Sequence, residues 1–370
     1  MKSLETVFGP NSALVEELYD QYQQDPGSVP AHWKRYFDEL EGKPVDATEP
    51  DELQPSEQKT SAQPSNGSES TAQKQPETKK EPKKEVQAPK NASLEKIKGV
   101  ATKIVENMDE SLEVPTATSL RVLPVKMMVE DRTIINRHLL KRNEPKASFT
   151  HFIAWAIIRA LKDFPSLNCS YLYKDGNHYR VVPDSVNLGV AVDLESRDGS
   201  RNLVVPNIKG VDKMNFKEFL HAYAELIDKA RNGNLQIEDF QGTTISITNP
   251  GTIGTVSSVP RLMKTQGAII ATGAIDYPAE YRAMSKDVLN QLGVSKVMTV
   301  TSTYDHRVIQ GAESGMFLKR MDELLSGQED FYDQIFSDLD IPYEPLPYGQ
   351  DKYSGPLSGG ANTLSMTAGL

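Results

Sequence analysis

Residues 301–311, TSTYDHRVIQG, decide how the rest of the chain is read. A β-branched run from Val297 to Thr303 reads as a strand. It gives way to Asp305-His306-Arg307, then to Gly311 and a helical pattern from about Ala312 to Leu325. A strand that hands over to a helix leaves its last side chains at a rim, where they are exposed. His306 stands there between opposite charges. Histidine is a residue type suited to a proton-transfer role, although a lone histidine is more often structural. Two strands precede this one, at Thr243–Thr248 and Gly267–Ile275, so the centre of the fold reads as α/β.

The whole chain narrows the function classes. Its 370 residues carry 41 basic and 51 acidic side chains, a net charge of −10, which argues against nucleic acid as a partner. The only cysteine, Cys169, lies in an apolar stretch and reads as a small core residue in a reducing, cytoplasmic protein. Neither a signal peptide nor an apolar run of membrane-spanning length is expected. His138, His151 and His221 fall on helical patterns without partners at metal-ligand spacing, so no metal site is predicted there or at His32 and His178. The sequence contains no Gly-x-Ser-x-Gly elbow, phosphate loop or Gly-x-Gly-x-x-Gly fingerprint.

Composition divides the chain into segments. Residues 1–40 hold two amphipathic helices: one with Leu14, Leu18 and Tyr22 on a face and Asn11 as its cap, and one with Trp33, Phe37 and Leu40. Two such helices need a larger surface to dock on, in this chain or in a partner. Residues 41–92 lack aromatics and are rich in Ser, Gln, Pro, Glu and Lys, which predicts a disordered tether. Residues 93–345 read as one α/β domain. It opens with a helix marked by Ile97, Val100, Ile104, Met108 and Leu112, followed by a strand around Ser119–Glu130. Ser148 caps a buried helix from Phe149 to Lys162, and Asn215 with Glu218 forms a capping box for a helix ending near Arg231. Strands at Val186–Asp193 and Asn202–Ile208 are joined by a turn at Ser196-Arg197-Asp198-Gly199. Residues 346–370 read as an unstructured tail.

A second chemical candidate is Thr248, in Ser246-Ile247-Thr248-Asn249-Pro250-Gly251. It is either a strand-end polar residue or a hydroxyl donor to a developing oxyanion. The residues alone stop at an acid–base histidine of unknown substrate.

Taken together, the two stretches resemble the catalytic domain of the dihydrolipoamide acyltransferases of 2-oxo acid dehydrogenase complexes, with their His-x-x-x-Asp-Gly motif. Residues 187–193, 203–208 and 231–242 resemble that domain in order and spacing. Residues 12–19 and 32–37 resemble the N-terminal segment of a 2-oxoglutarate dehydrogenase. A head of that kind ahead of an acyltransferase is similar to the actinobacterial multifunctional 2-oxoglutarate dehydrogenase fusions.

The resemblance implies a chloramphenicol-acetyltransferase-like fold, a two-layer mixed sheet packed with helices, assembled as a homotrimer with active sites at subunit boundaries. It implies succinyl transfer between dihydrolipoamide and coenzyme A in the tricarboxylic acid cycle. His306 would be the general base, and Thr248 of a neighbouring subunit the oxyanion donor. Asp305, Gln310 and Gly311 would support the site. Gln310 replaces the motif's Asp and carries no charge. No lipoyl-lysine is expected, because Asp228-Lys229-Ala230 sits in a helical run. A lipoyl domain from another chain and dihydrolipoamide dehydrogenase are the implied partners. Thiamine diphosphate and magnesium would belong to a dehydrogenase part beyond about Tyr343. The alternative is a catalytically weak trimeric scaffold that organises the dehydrogenase component.

Overall fold

The computed structural model describes residues 8, 11–43, 91–94, 96–97, 100–195 and 201–342. Most of the expected tether, the 196–199 turn and the 346–370 tail lie outside the described residues. Two helices form the head, α1 (Ser12–Gln24) and α2 (Ala31–Leu40). The body begins with α3 (Val100–Ser111), β1 (Thr116–Pro124), α4 (Lys126–Lys141) and α5 (Phe149–Ala160). It continues with β2 (Ser170–Lys174), β3 (Asn177–Val181), β4 (Leu188–Val190), β5 (Val192–Glu195), β6 (Arg201–Val204) and β7 (Asn207–Ile208). Then come α6 (Phe216–Asn232), α7 (Ile237–Phe240), β8 (Ile245–Thr248), β9 (Ala268–Thr272) and α8 (Lys286–Gln291). It closes with β10 (Val297–Asp305), α9 (Gly311–Leu325) and α10 (Phe331–Asp338).

Six strands form one mixed sheet in the order β1-β10-β9-β8-β4-β7. The three strands expected in succession lie side by side, β8 parallel to β9 and β9 antiparallel to β10. Register sorts their side chains onto two faces. Val300 and Tyr304 of β10 share one face with Ile270 and Ala268 of β9 and with Ile247 and Ile245 of β8. This face is buried, and Arg121 of β1 on the same side pairs with Asp322 of α9 at 2.8 Å. Thr248, Thr301 and Thr303 point to the other face, where Leu120 and Val122 of β1 are exposed. The α5 helix is apolar on nearly every side, and Phe152 through Ile158 are all buried, as the sequence predicted. The capping box of α6 forms as expected: Asn215 Oδ1 accepts from Glu218 N, and Glu218 Oε2 accepts from Asn215 N, both at 2.9 Å.

Several expectations need correction. The strand placed around Ser119–Glu130 runs instead over Thr116–Pro124, and α4 follows. Pro124 cannot extend a ladder, and Met128, Ile135 and Leu139 then recur at helical rather than alternating spacing. The two strands expected at Val186–Asp193 and Asn202–Ile208 each break in two, at Ala191 and at Val205-Pro206. The apolar series on α3 does not face this chain's core: Ile104, Met108 and Leu112 are exposed, and Asn107 and Ser111 are buried instead.

Asn11 also differs from its expected role. Its backbone is already helical (φ −96°, ψ 0°), so its side chain makes no cap bond. Instead Asn11 Oδ1 accepts from Val205 N at 2.8 Å, and Asn11 Nδ2 donates to Val205 O at 2.9 Å. The head thus docks on its own body. His32 Nε2 lies 3.3 Å from Leu235 O, and the Trp33 ring packs 6.2 Å from Phe240. Tyr22, Trp33 and Phe37 are buried at 2% exposure or less. Burial of that kind contributes about 1.5–3 kcal/mol per large apolar side chain, enough to hold a segment too small to fold alone.

One buried acid gives the body a pH-dependent stability. Asp131 on α4 is 7% exposed. Burial first, then the neighbouring Glu130 and Asp333, push its carboxyl up to about 7. A carboxyl raised above its unfolded value near 3.9 favours the native state while it stays protonated. That contribution is complete below about pH 4 and is lost as pH rises toward and through 7. Asp131→Asn, which cannot ionise, is expected to gain stability over the wild type at pH 8 and little at pH 4, measured by urea unfolding. An equal effect at both values would show that the carboxyl is ionised throughout.

Candidate functional site

The site is built on the end of β10. Asp305, its last residue, is 1% exposed, and its N–H donates to Gly267 O at 2.9 Å. Gly267 is required by a close approach: a Cβ there would stand 1.6 Å from Cys169 O. The Asp305 carboxylate takes Arg307 in a forked arrangement, with Nε 2.9 Å from Oδ1 and Nη2 2.6 Å from Oδ2. The hydrogen bonds of Asp305, with its charge, raise the Arg307 guanidinium above its ordinary value. The guanidinium also stacks over the Tyr171 ring at 3.7 Å, which joins the β2–β3 hairpin to the strand end. Tyr171 Oη lies 2.6 Å from His178 Nδ1 on the opposite strand of that hairpin.

His306 sits between the two members of this ion pair. Its N–H donates to Pro115 O at 3.0 Å, its ring lies 5.6 Å from Tyr304, and its side chain is exposed at the rim. Gln310 is the N-cap residue of α9. Its backbone N–H donates to Glu313 Oε2 at 2.9 Å, so Glu313 closes the first turn from within the helix. Gln310 itself is exposed, and its side chain faces the Glu313 N–H in a reciprocal capping box. A Cβ on Gly311 would come within 3.3 Å of Tyr304 Oη, so a larger residue would crowd the ring beside His306.

Thr248 ends β8, partly exposed, and the next residue anchors the turn, with Asn249 Nδ2 donating to Thr150 Oγ1 at 2.8 Å. The register separates it from His306. Tyr304 is level with Ala268 and Ile245, whereas Thr248 is level with Ala271 and Thr301. His306 therefore lies about five residues from Thr248 along the strand direction, roughly 17 Å at ~3.3 Å per residue, before the lateral spacing of the strands is added. The structure thus brings His306, Asp305, Gln310 and Gly311 together and leaves Thr248 out of reach within one chain.

Two site residues carried no role in the sequence reading. Arg307 was visible as a charge next to Asp305, but its fork was not. Tyr171 meets Arg307 across 136 positions of sequence, and nothing local marks it. Cys169 is buried, and burial raises its thiol above the ordinary value, as suits an inert core residue. Among the described residues no group of three or more His, Cys, Asp or Glu side chains could hold a metal, and no helix is long and apolar enough to cross a membrane.

Residues 89–332 match the family of 2-oxoacid dehydrogenases acyltransferase (catalytic domain), and residues 5–44 match the 2-oxoglutarate dehydrogenase N-terminus. The chain is 45% identical, over 94% of its length, to the 2-oxoglutarate dehydrogenase E1/E2 component of Corynebacterium glutamicum. It is 44% identical, over 93% of its length, to the multifunctional 2-oxoglutarate metabolism enzyme of Mycolicibacterium vanbaalenii. It spans only 29% and 30% of those two relatives. Among solved structures, a dihydrolipoamide acetyltransferase of Azotobacter vinelandii matches with a TM-score of 0.56 and 25% identity, over 70% of this chain and 99% of that one. That structure was determined to probe a serine, a histidine and an asparagine four positions beyond the histidine in the enzyme's catalytic mechanism. The cubic core of a pyruvate dehydrogenase complex shares the fold, with a TM-score of 0.56 at 24% identity, over 70% of this chain and 99% of that one.

The ion pair sets a clear expectation for stability. Removing one partner of a buried pair typically costs about 3–5 kcal/mol, because the other charge is left buried and alone. Arg307→Ala is expected to lower the unfolding free energy by roughly 3 kcal/mol, toward the low end because Arg307 is partly exposed. The double variant Asp305→Ala/Arg307→Ala should lose less than the sum of its two single changes in the same denaturation measurement. Strict additivity would mean that the pair is not coupled.

Proposed function

Because the chain belongs to the acyltransferase catalytic-domain family of the 2-oxoacid dehydrogenases, we propose that it transfers a succinyl group between dihydrolipoamide and coenzyme A at a site shared by two subunits. One observation carries the proposal: His306 is braced at the rim by the Asp305–Arg307 fork, while the register holds Thr248 far from it in the same chain. A reaction centre that uses both residues must therefore lie between copies. The succinyl group is supported by relatives named for 2-oxoglutarate metabolism.

In this reading the free imidazole nitrogen of His306 takes the proton of the attacking thiol. A thiol near pKa 8.5 and an imidazole near 6.5 are close enough for transfer within a hydrogen bond. The thiolate sulfur adds to the thioester carbonyl carbon, and the carbonyl oxygen becomes an oxyanion. The Thr248 hydroxyl of a neighbouring subunit donates to that oxygen. When the tetrahedral centre collapses, the original thiol leaves as a thiolate and recovers the proton from His306. Gln310 takes the place of the motif's Asp without its charge. A solved relative with an amide at the same spacing after its histidine supports the compatibility of such a side chain with acyl transfer.

The finer assignments follow the same reading. The lipoyl group comes from another chain, and dihydrolipoamide dehydrogenase reoxidises it, within the tricarboxylic acid cycle of the cytoplasm. Thiamine diphosphate and magnesium belong to the remaining length of the relatives. The scaffold alternative draws on Gln310, which carries no charge where the family motif has Asp. It predicts a trimer that transfers the acyl group only weakly.

Variants of the two residues separate these readings. His306→Ala is expected to slow succinyl transfer by about 10²–10⁴-fold, and Thr248→Val by about 10²–10³-fold with KM little changed. Gln310→Asp should change the rate only mildly. Mixing refolded His306→Ala and Thr248→Val chains should restore activity, to about a quarter of the sites under random assortment in a ring. No recovery on mixing would place both residues in one chain's site. Near-wild-type transfer by His306→Ala would remove His306 as the base, and weak transfer by the wild-type trimer itself would favour the scaffold.

A further inference from the structure

The turn that presents His306 is held from two sides. On the core side, Val308 and Ile309 are buried, and their N–H groups donate to Asp305 O at 3.1 and 3.0 Å. On the other side lies the β2–β3 hairpin, a two-stranded sheet of its own. Its root is fixed beside the strand end: the carbonyl of Cys169, which leads into β2, packs against Gly267, and Gly267 O accepts the Asp305 N–H. Its tip is the two-residue turn Asp175-Gly176, with φ of 52° and 78°. Left-handed backbone at both positions matches the twist of the paired strands and sets their register. That register puts Tyr171 directly opposite Arg180. Residues opposed in this way project from the same face of the hairpin.

Each member of that pair grips a different part of the turn. The Tyr171 ring covers the Arg307 guanidinium at 3.7 Å. Arg180 Nη2 donates to Val308 O at 2.7 Å. A hydrogen bond from an ionised donor is shorter and stronger than a neutral one. The two grips thus fall on the two residues that follow His306. Among the described residues no hydrogen bond reaches the His306 ring, whose aromatic neighbour is Tyr304 at 5.6 Å. The aim of the imidazole therefore depends on the backbone beneath it, and the hairpin holds that backbone from outside.

We propose that Tyr171 and Arg180 are positioning residues for acyl transfer: paired across the hairpin, they clamp the 306–308 turn and aim His306 at the attacking thiol. The proposal rests on the acyl-transfer reading above. A base displaced by about 1 Å can cost on the order of 10²-fold in rate, so a clamp of this kind acts on kcat without touching substrate.

The test uses the full chain, with succinyl-coenzyme A and dihydrolipoamide for turnover and hydrogen exchange for the turn. Arg180 is exposed, so its replacement leaves the core intact. Arg180→Ala is expected to lower kcat by about 10–10²-fold with both KM values within about twofold of wild type. Arg180→Lys, which keeps a charged donor, should recover kcat to within about threefold. Tyr171→Leu should lower kcat about tenfold, and Tyr171→Phe, which keeps the ring over Arg307, should stay within about twofold. Hydrogen exchange over residues 305–311 should quicken about fivefold in Arg180→Ala and Tyr171→Leu and keep the wild-type rate in the two conservative variants, with β8 and β9 unchanged throughout. The proposal is overturned if kcat of Arg180→Ala stays within about twofold of wild type, or if exchange over 305–311 does not change. A loss expressed in KM overturns it as well, because Arg180 would then contact substrate. So does a loss that Arg180→Lys fails to recover, or faster exchange in β8 and β9, which would mark a general loosening. Exchange is read without turnover. A wild-type chain that transfers no succinyl group, whose turn still loosens in Arg180→Ala, refutes the acyl-transfer reading and leaves the clamp standing.

Discussion

A carboxylate with 1% exposure at the end of a central strand is costly unless it is matched, and among the described residues Asp305 is matched by Arg307, two residues on. The geometry of the rim follows from that constraint. To bring its guanidinium back onto Asp305, the chain must turn sharply after β10, and that turn presents His306 outward. Tyr171 covers the open face of the guanidinium, so the hairpin is tied to the strand end by the same contact. The start of α9 then has little freedom. Gly311 packs under Tyr304, and Glu313 closes the first turn onto the backbone of Gln310. A charge placed for stability thus fixes the direction of an exposed imidazole that is not itself part of the pair.

Much of this was readable from local chemistry. The β-branched run that ends in Asp-His-Arg, the capping box at Asn215 and Glu218, and the largely apolar α5 are decided by neighbours within a few positions, and the structure agrees with them. The misread elements depended on distant partners. Nothing near Asn11 reveals that its side chain will be claimed by Val205, 194 residues away, and so the cap was the natural reading. The run after Ser119 looked like one long strand because its apolar residues are dense. Only Pro124, weighed against the spacing of Met128, Ile135 and Leu139, divides it into a strand and a helix.

The placement of the site residues shows the same limit. His306, Asp305, Gln310 and Gly311 fall within seven positions of sequence, and local reasoning gathers them correctly. Thr248 is a different case. Its level in the sheet is set by the parallel pairing of β8 with β9 and the antiparallel pairing of β9 with β10, which no local pattern specifies. The α3 series is similar. Ile104, Met108 and Leu112 have the spacing of a core-facing helix, and their exposure here is a fact of tertiary packing.

Asn11 has one more effect. By accepting from Val205 N–H and donating to Val205 O, it occupies the main-chain groups that lead into β7, the last strand on that side of the sheet. Unpaired strand edges are templates for adding another strand, and proteins blunt them with short strands or covering segments. This sheet does both at β7, which is two residues long and lies beside the head. The opposite margin is β1, nine residues long, with no further strand beyond it among the described residues. The sheet is therefore polarised: one margin is sealed against growth by the protein's own first helices, and the other is left able to accept a neighbour.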